Sequence, residues 1–163
     1  MRRINFSVFT YKIESEVVER VIAKLKREFK IDVSVIGELK PPVEAFNYSR
    51  GQYDAYVLIS LLDRVRDGRL AIWMIPYDIY VQGFNFVFGL ANPYSCAVLS
   101  VARLGTVDLI CKEAVHETGH IFGLKHCKDP CVMAYSNSLF EASKKSDSLC
   151  EECREILDKA GFY

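Results

Sequence analysis

Histidine is scarce in this chain: its 163 residues include only three. Neither sign of charge is in excess, because 21 basic residues are matched by 21 acidic ones. A balanced chain has no electrostatic reason to bind nucleic acid or an anionic membrane surface. No apolar run approaches the roughly 20 residues that a membrane-spanning helix needs. Repeats, low-complexity segments and linker-like stretches are missing too. The N-terminus, MRRINFSVFTYKIESE, begins with two arginines and a short apolar run. It lacks the continuous apolar stretch and small-residue cleavage site of an export signal, so we expect an intracellular, cytoplasmic protein. Half of the residues are hydrophobic, enough for one domain with a real core. We expect a single domain over 1–163, with an N-terminal lobe at 1–123 and a C-terminal lobe at 124–163.

The three histidines are not scattered. His116, His120 and His126 all lie in HETGHIFGLKHCKDPCVM, residues 116–133. Positions i and i+4 share one face of a helix, so His116 and His120 can offer nitrogens to one point. Glu117 lies beside them, free to act as a general base. Gly123 can end the helix in a left-handed conformation and turn the chain back, which lets His126 supply a third nitrogen. Three neutral imidazoles with a fourth position open describe a catalytic zinc site.

Four of the six cysteines form a second pattern. Cys127 and Cys131 follow the last histidine, and Cys150 and Cys153 come after an eighteen-residue gap. That spacing is close to a zinc ribbon, and without an export signal four thiolates on zinc are a better reading than disulfides. We therefore expect two zinc ions per chain, one catalytic and one structural. Cys96 and Cys111 fall in apolar segments and read as small buried hydrophobes.

Taken in order, residues 3–9 alternate and read as a strand, 14–29 as an amphipathic helix capped at Ser15, and 31–39 as a second strand. That order implies a parallel pair joined by a crossover. Residues 43–51 read as irregular and 52–66 as a second helix. LAIWMIP, residues 70–76, is a continuous apolar run, which suits a strand buried on both faces. Residues 96–104 read as a strand and 108–123 as the helix carrying the first two histidines. Beyond His126 little regular structure is expected until a terminal helix at 149–160. The fold class is α+β (mixed α/β): a twisted mixed sheet, an active-site helix and a small zinc-stapled C-terminal lobe.

HETGHIFGLKH followed by Met133 resembles the metzincin metallopeptidases. Cys127 directly after the third histidine, then Cys131 and the pair Cys150 and Cys153, is similar to the archaemetzincin family. These motifs cover residues 116–153; the N-terminal segments resemble the family only in the order of their elements. The resemblance implies a metzincin-like fold and a tight turn at Met133 beneath the metal. It also implies that Tyr135 could help hold an oxyanion, although a buried structural tyrosine fits as well. For the aromatic stretch 84–90 it implies an edge strand, near Phe84, Phe86 and Phe88, along which an extended peptide lies antiparallel. Plain sheet or core packing would use the same residues.

The function expected is a zinc-dependent metallopeptidase with Glu117 as general base, acting as a monomer on peptide substrates. The resemblance suggests an aminopeptidase acting on short peptides. A zinc-binding module that recognises peptides with little turnover is the alternative.

Overall fold

Strand β1, Ile4–Thr10, is followed by helix α1, Ser15–Glu28, and strand β2, Ile31–Glu38. β1 and β2 pair in parallel, as a strand–helix–strand unit requires. The computed structural model describes residues 2–128 and 130–162. Ser15 is the first helical residue rather than the cap: Glu14 holds that position and makes no side-chain capping bond.

Residues 43–51 are more ordered than expected, with a 3-10 turn at Val43–Ala45 and strand β3 at Phe46–Asn47. Gln52–Asp54 forms strand β4, so helix α2 starts only at Ala55 and runs to Val65. Asp54 fixes that start, because its carboxylate accepts from the amides of Tyr56 and Val57 at 2.9 and 3.4 Å. Strand β5, Leu70–Ile75, then enters the sheet centre between β1 and strand β8, Cys96–Ser100. Period-two geometry divides its residues. Ile72 and Met74 join Phe6, Val8 and Leu25 in one core, while Ala71, Trp73 and Ile75 join Leu58 and Leu62 of α2 in another. The apolar run at 70–76 is therefore explained by helices on both faces.

The stretch after β5 yields only strand β6, Ile79–Tyr80, and strand β7, Gly89–Asn92. The larger sheet has the order β2-β1-β5-β8-β7, and β7 is its antiparallel edge. The smaller sheet is β3-β4-β6. Helix α3, Val107–Ile121, follows β8 and packs in the same core as α1. Thr106 caps it, its hydroxyl accepting from the Leu109 amide at 3.2 Å. Helix α4, Leu139–Lys144, was not expected, and helix α5, Glu151–Ala160, begins directly after Cys150. Among the described residues no helix is long and apolar enough to cross a membrane.

The end of α3 sets the direction of everything that follows. Gly123 has φ +91°. Its amide donates to His120 O at 3.0 Å, and the Leu124 amide donates to Gly119 O at 2.9 Å. These two bonds are a complete Schellman motif, which needs a left-handed residue at this position. Space is the second constraint, because a side chain on Gly123 would collide with the Tyr94 ring. Gly161, which ends α5 with φ +84°, has open space around it. Gly161→Ala therefore measures the backbone cost alone, about 1–3 kcal/mol. We predict that Gly123→Ala lowers stability more than Gly161→Ala, as read from the midpoints of denaturant unfolding. Equal losses would show that the Tyr94 contact imposes nothing.

Candidate metal centre and cleft

Helix α3 presents His116 and His120 one turn apart, and the Schellman turn returns the chain so that His126 meets them. One nitrogen from each ring can be chosen so that all three lie within 4.8 Å of one another. The hydrogen bonds decide which nitrogens are available. His116 Nδ1 lies 2.8 Å from Val132 O, and His120 Nδ1 lies 2.7 Å from Leu124 O. A carbonyl only accepts, so each Nδ1 carries its hydrogen and each Nε2 keeps a lone pair. The two Nε2 atoms face each other at 3.1 Å. Two lone pairs at that distance repel unless a cation lies between them. Nitrogens held at about 2.0–2.1 Å from a tetrahedral ion are roughly 3.3 Å apart, so the pair fits zinc. Burial, then the charge on Lys145, holds His116 well below the ordinary histidine value. Burial also lowers His120 and His126. All three rings therefore stay neutral, the form that binds metal.

Glu117 is 5% exposed and lines the same cavity, of about 430 Å³. Burial, then the nearby charge of Glu113, pushes its carboxyl up to about 8, while Lys145 pulls the other way. Its room comes from Gly89 on the edge strand. A Cβ at Gly89 would lie 2.7 Å from the Glu117 carboxyl carbon. A similar fit holds behind the helix, where a Cβ on Gly119 would run into Met133 Sδ. Met133 is fully buried there. Tyr135 is not a buried structural residue: it is 51% exposed, its ring 5.1 Å from that of His126.

The edge strand lies later in the chain than expected. Phe84, Phe86 and Phe88 are not a strand; they line the cavity from the irregular segment before β7. The cause is that its carbonyls are taken by side chains. Arg50 donates to Phe84 O at 2.7 Å, and Gln52 donates to Asn85 O at 2.9 Å. Arg103, held by Asp78 at 2.8 Å, lies over the Phe86 ring. Gly89 does belong to the edge strand, as part of β7.

The four cysteines also meet. Cys127 Sγ lies 3.8 Å from Cys150 Sγ, and Cys131 Sγ lies 3.7 Å from Cys153 Sγ. Sulfurs about 2.3 Å from a tetrahedral zinc are roughly 3.8 Å apart, while a disulfide would need about 2.0 Å. The Met133 and Cys150 amides both point to Cys131 Sγ at 3.4 Å, as suits a thiolate. Cys96 and Cys111 are buried away from both groups.

Sequence reasoning marked Gly89 only as a place where a substrate backbone could approach closely, and missed both the room it leaves for Glu117 and the residues Glu113 and Lys145. Glu113 lines the cavity one turn before His116, a helical spacing that was available to read. Nothing local marks Lys145.

The peptidase family M54 model matches residues 1–159. The archaemetzincin of Nanoarchaeum equitans is 42% identical over 158 residues, covering 96% of this chain and 91% of that protein. The crystal structure of the Methanopyrus kandleri archaemetzincin superposes with a TM-score of 0.88 at 34% identity, covering 96% of this chain and 94% of that one. That of the Archaeoglobus fulgidus archaemetzincin, complexed with malonate, gives 0.85 at 34% identity, covering 93% and 99%.

The two groups of ligand-type residues are joined by the backbone, since His126 and Cys127 are adjacent, and the Cys127 amide is held in turn by Met133 O at 3.0 Å. A structural zinc contributes on the order of 10 kcal/mol to folding, as much as the net stability of a domain. We predict that Cys150→Ser loses the thiolate-held metal, melts lower and holds the imidazole-bound metal more weakly. His126→Ala should keep the thiolate-held metal and most of its stability. Metal analysis beside melting curves checks both. A Cys150→Ser protein that kept its melting temperature and its second metal would disprove the link.

Proposed function

We propose, for a chain that belongs to the archaemetzincin family of zinc metallopeptidases, peptidase family M54, that Glu117 is the general base of peptide hydrolysis and that the substrates are short peptides with a free amino terminus. The observation that carries the reading is the convergence of three neutral imidazoles beside a buried carboxylate in one cleft. His116, His120 and His126 would hold the catalytic zinc, and Cys127, Cys131, Cys150 and Cys153 the structural one. When bound, the catalytic zinc supplies Lewis acidity towards a carbonyl and acidifies water.

The chain's own residues do the rest. Glu117 takes one proton from the attacking water as its oxygen adds to the scissile carbonyl carbon. It returns that proton to the amine nitrogen as the C–N bond breaks. Burial raises this carboxyl and the zinc charge, when bound, would lower it again, towards the working pH at which a carboxylate both accepts and gives. Tyr135, at the cavity edge, would donate a hydrogen bond to the oxygen that becomes negative. The β7 edge would pair with the substrate backbone, which fixes the bond to be cut without selecting its sequence. Phe84, Phe86 and Phe88 would contact the side chains of the bound peptide. A cavity of about 430 Å³ suits a few residues, which supports short substrates.

Turnover of matched peptides with free and acetylated amino termini tests this on zinc-loaded protein. The free peptides should be cut at the first bond and the acetylated ones much more slowly. Glu117→Gln should keep both zinc ions and lose all hydrolysis. Equal cutting of both peptides would rule out the aminopeptidase reading, and retained turnover in Glu117→Gln would remove the general base.

Gly89→Ala tests the slot. Its backbone conformation does not demand glycine, so the added methyl should displace the Glu117 side chain rather than the strand. A displacement near 1 Å costs about 100-fold in rate. We expect kcat to fall by about that factor, with zinc content unchanged by metal analysis. An unaltered kcat would show that Glu117 has room elsewhere.

A further inference from the structure

Lys145 follows α4, far from α3 in sequence, yet its side chain is only 1% exposed. It reaches into the space between α3 and the Met133 turn. Its ammonium lies 3.0 Å from Glu113 Oε1, on a side chain 3% exposed. That pair is ionic without being aligned as a hydrogen bond, because Oε1 accepts none. Lys145 Nζ also donates to Ala134 O at 3.2 Å and lies 3.2 Å from His116 Nδ1. The latter contact is not a hydrogen bond, since that nitrogen's hydrogen points to Val132 O. Lys112, next to Glu113 on α3, donates to the carbonyls of Ala142, Ser143 and Lys145 at 3.0, 3.2 and 2.8 Å. Two lysines thus cross between the same two elements, each held by the other's chain.

These contacts close a ring. From Glu113 on α3 the path runs through Lys145 to Ala134 O, back along the turn to Val132 O, and through His116 Nδ1 to α3 again. Peptide hydrolysis as derived above uses neither Glu113 nor Lys145. We propose that Lys145 and Glu113 are a positioning pair for His116, holding the turn that carries Val132 O at the distance and angle that aim the imidazole at the metal. The inference rests on His116 being a metal ligand, as proposed above. The physical reason is that a metal-bound histidine is aimed by the partner of its other ring nitrogen. Here that partner is a backbone carbonyl on a turn, which needs an anchor of its own. A buried ion pair is a stiff anchor, because loss of either member leaves the other charge buried and unpaired.

The test is zinc release from the zinc-loaded full chain into excess chelator, followed with a colorimetric indicator. His126→Ala identifies which of the two released equivalents comes from the imidazoles. Loss of a partner behind a metal ligand weakens the metal by about 10–100-fold. Lys145→Met should speed release of the imidazole-held zinc by a factor in that range, while the thiolate-held zinc keeps its rate. Glu113→Gln reads the same anchor from its other end and should act in the same direction. The double variant Glu113→Gln/Lys145→Met buries no unpaired charge but still lacks the anchor, so it should release the imidazole-held zinc as fast as the single variants and no faster. A general loosening would speed both zinc ions, and wild-type retention in the double variant would assign the effect to unpaired buried charge rather than to a lost anchor; either result overturns the proposal. So would wild-type release rates in both single variants. A wild-type protein that releases only thiolate-held zinc would instead sink the histidine site itself, before any variant is made.

Discussion

The hydrogen bond from His116 Nδ1 to Val132 O is the contact on which the site depends. It fixes the tautomer and turns Nε2 towards His120. It also couples two segments with different origins. His116 belongs to a helix nucleated by Thr106 and packed against the sheet, whereas Val132 belongs to an irregular turn between two cysteines. The helix has its own hydrogen bonds and would form in many contexts. The turn has short-range bonds of its own, from the Cys131 amide to Lys128 O and from the Ala134 amide to Cys131 O, and takes the rest of its shape from its neighbours.

Those neighbours act from three sides. Cys131 Sγ collects amides from Met133 and Cys150, which ties the turn to the start of α5. Met133 is pressed against Gly119, so the helix side needs a glycine where any side chain would collide. Lys145 holds Ala134 O from the third side. Irregular backbone is tolerated at this depth because its polar groups are bonded, the general condition for burying it. The parallel strands β1, β5 and β8 stand behind the helix, and the one antiparallel strand, β7, lies on the edge that borders the cleft.

How much of this the sequence disclosed follows from how local each signal is. The histidine spacing was legible because 3.6-residue periodicity and one glycine determine it within eleven residues. β5 was legible because a strand covered on both faces leaves an unbroken apolar run. The aromatic stretch was misread: three phenylalanines at alternate positions imitate a strand, while the Arg50 and Gln52 side chains that prevent one lie over thirty residues upstream. Helix α4 was missed because six residues are too few to show a period. Lys145 gave no sign at all. A lysine among lysines and serines reads as solvated surface, and its burial follows from carbonyls and a carboxylate brought from two other segments.

One consequence concerns spectroscopy. Imidazole is the side chain whose ordinary titration falls between pH 5 and 8. Every imidazole in this chain lines the one cleft, and burial lowers all three. The remainder of the molecule is silent in that channel. Any histidine resonance in a proton NMR spectrum comes from this cleft, so the native chain carries a built-in reporter there and needs no isotope-selective labelling to isolate it.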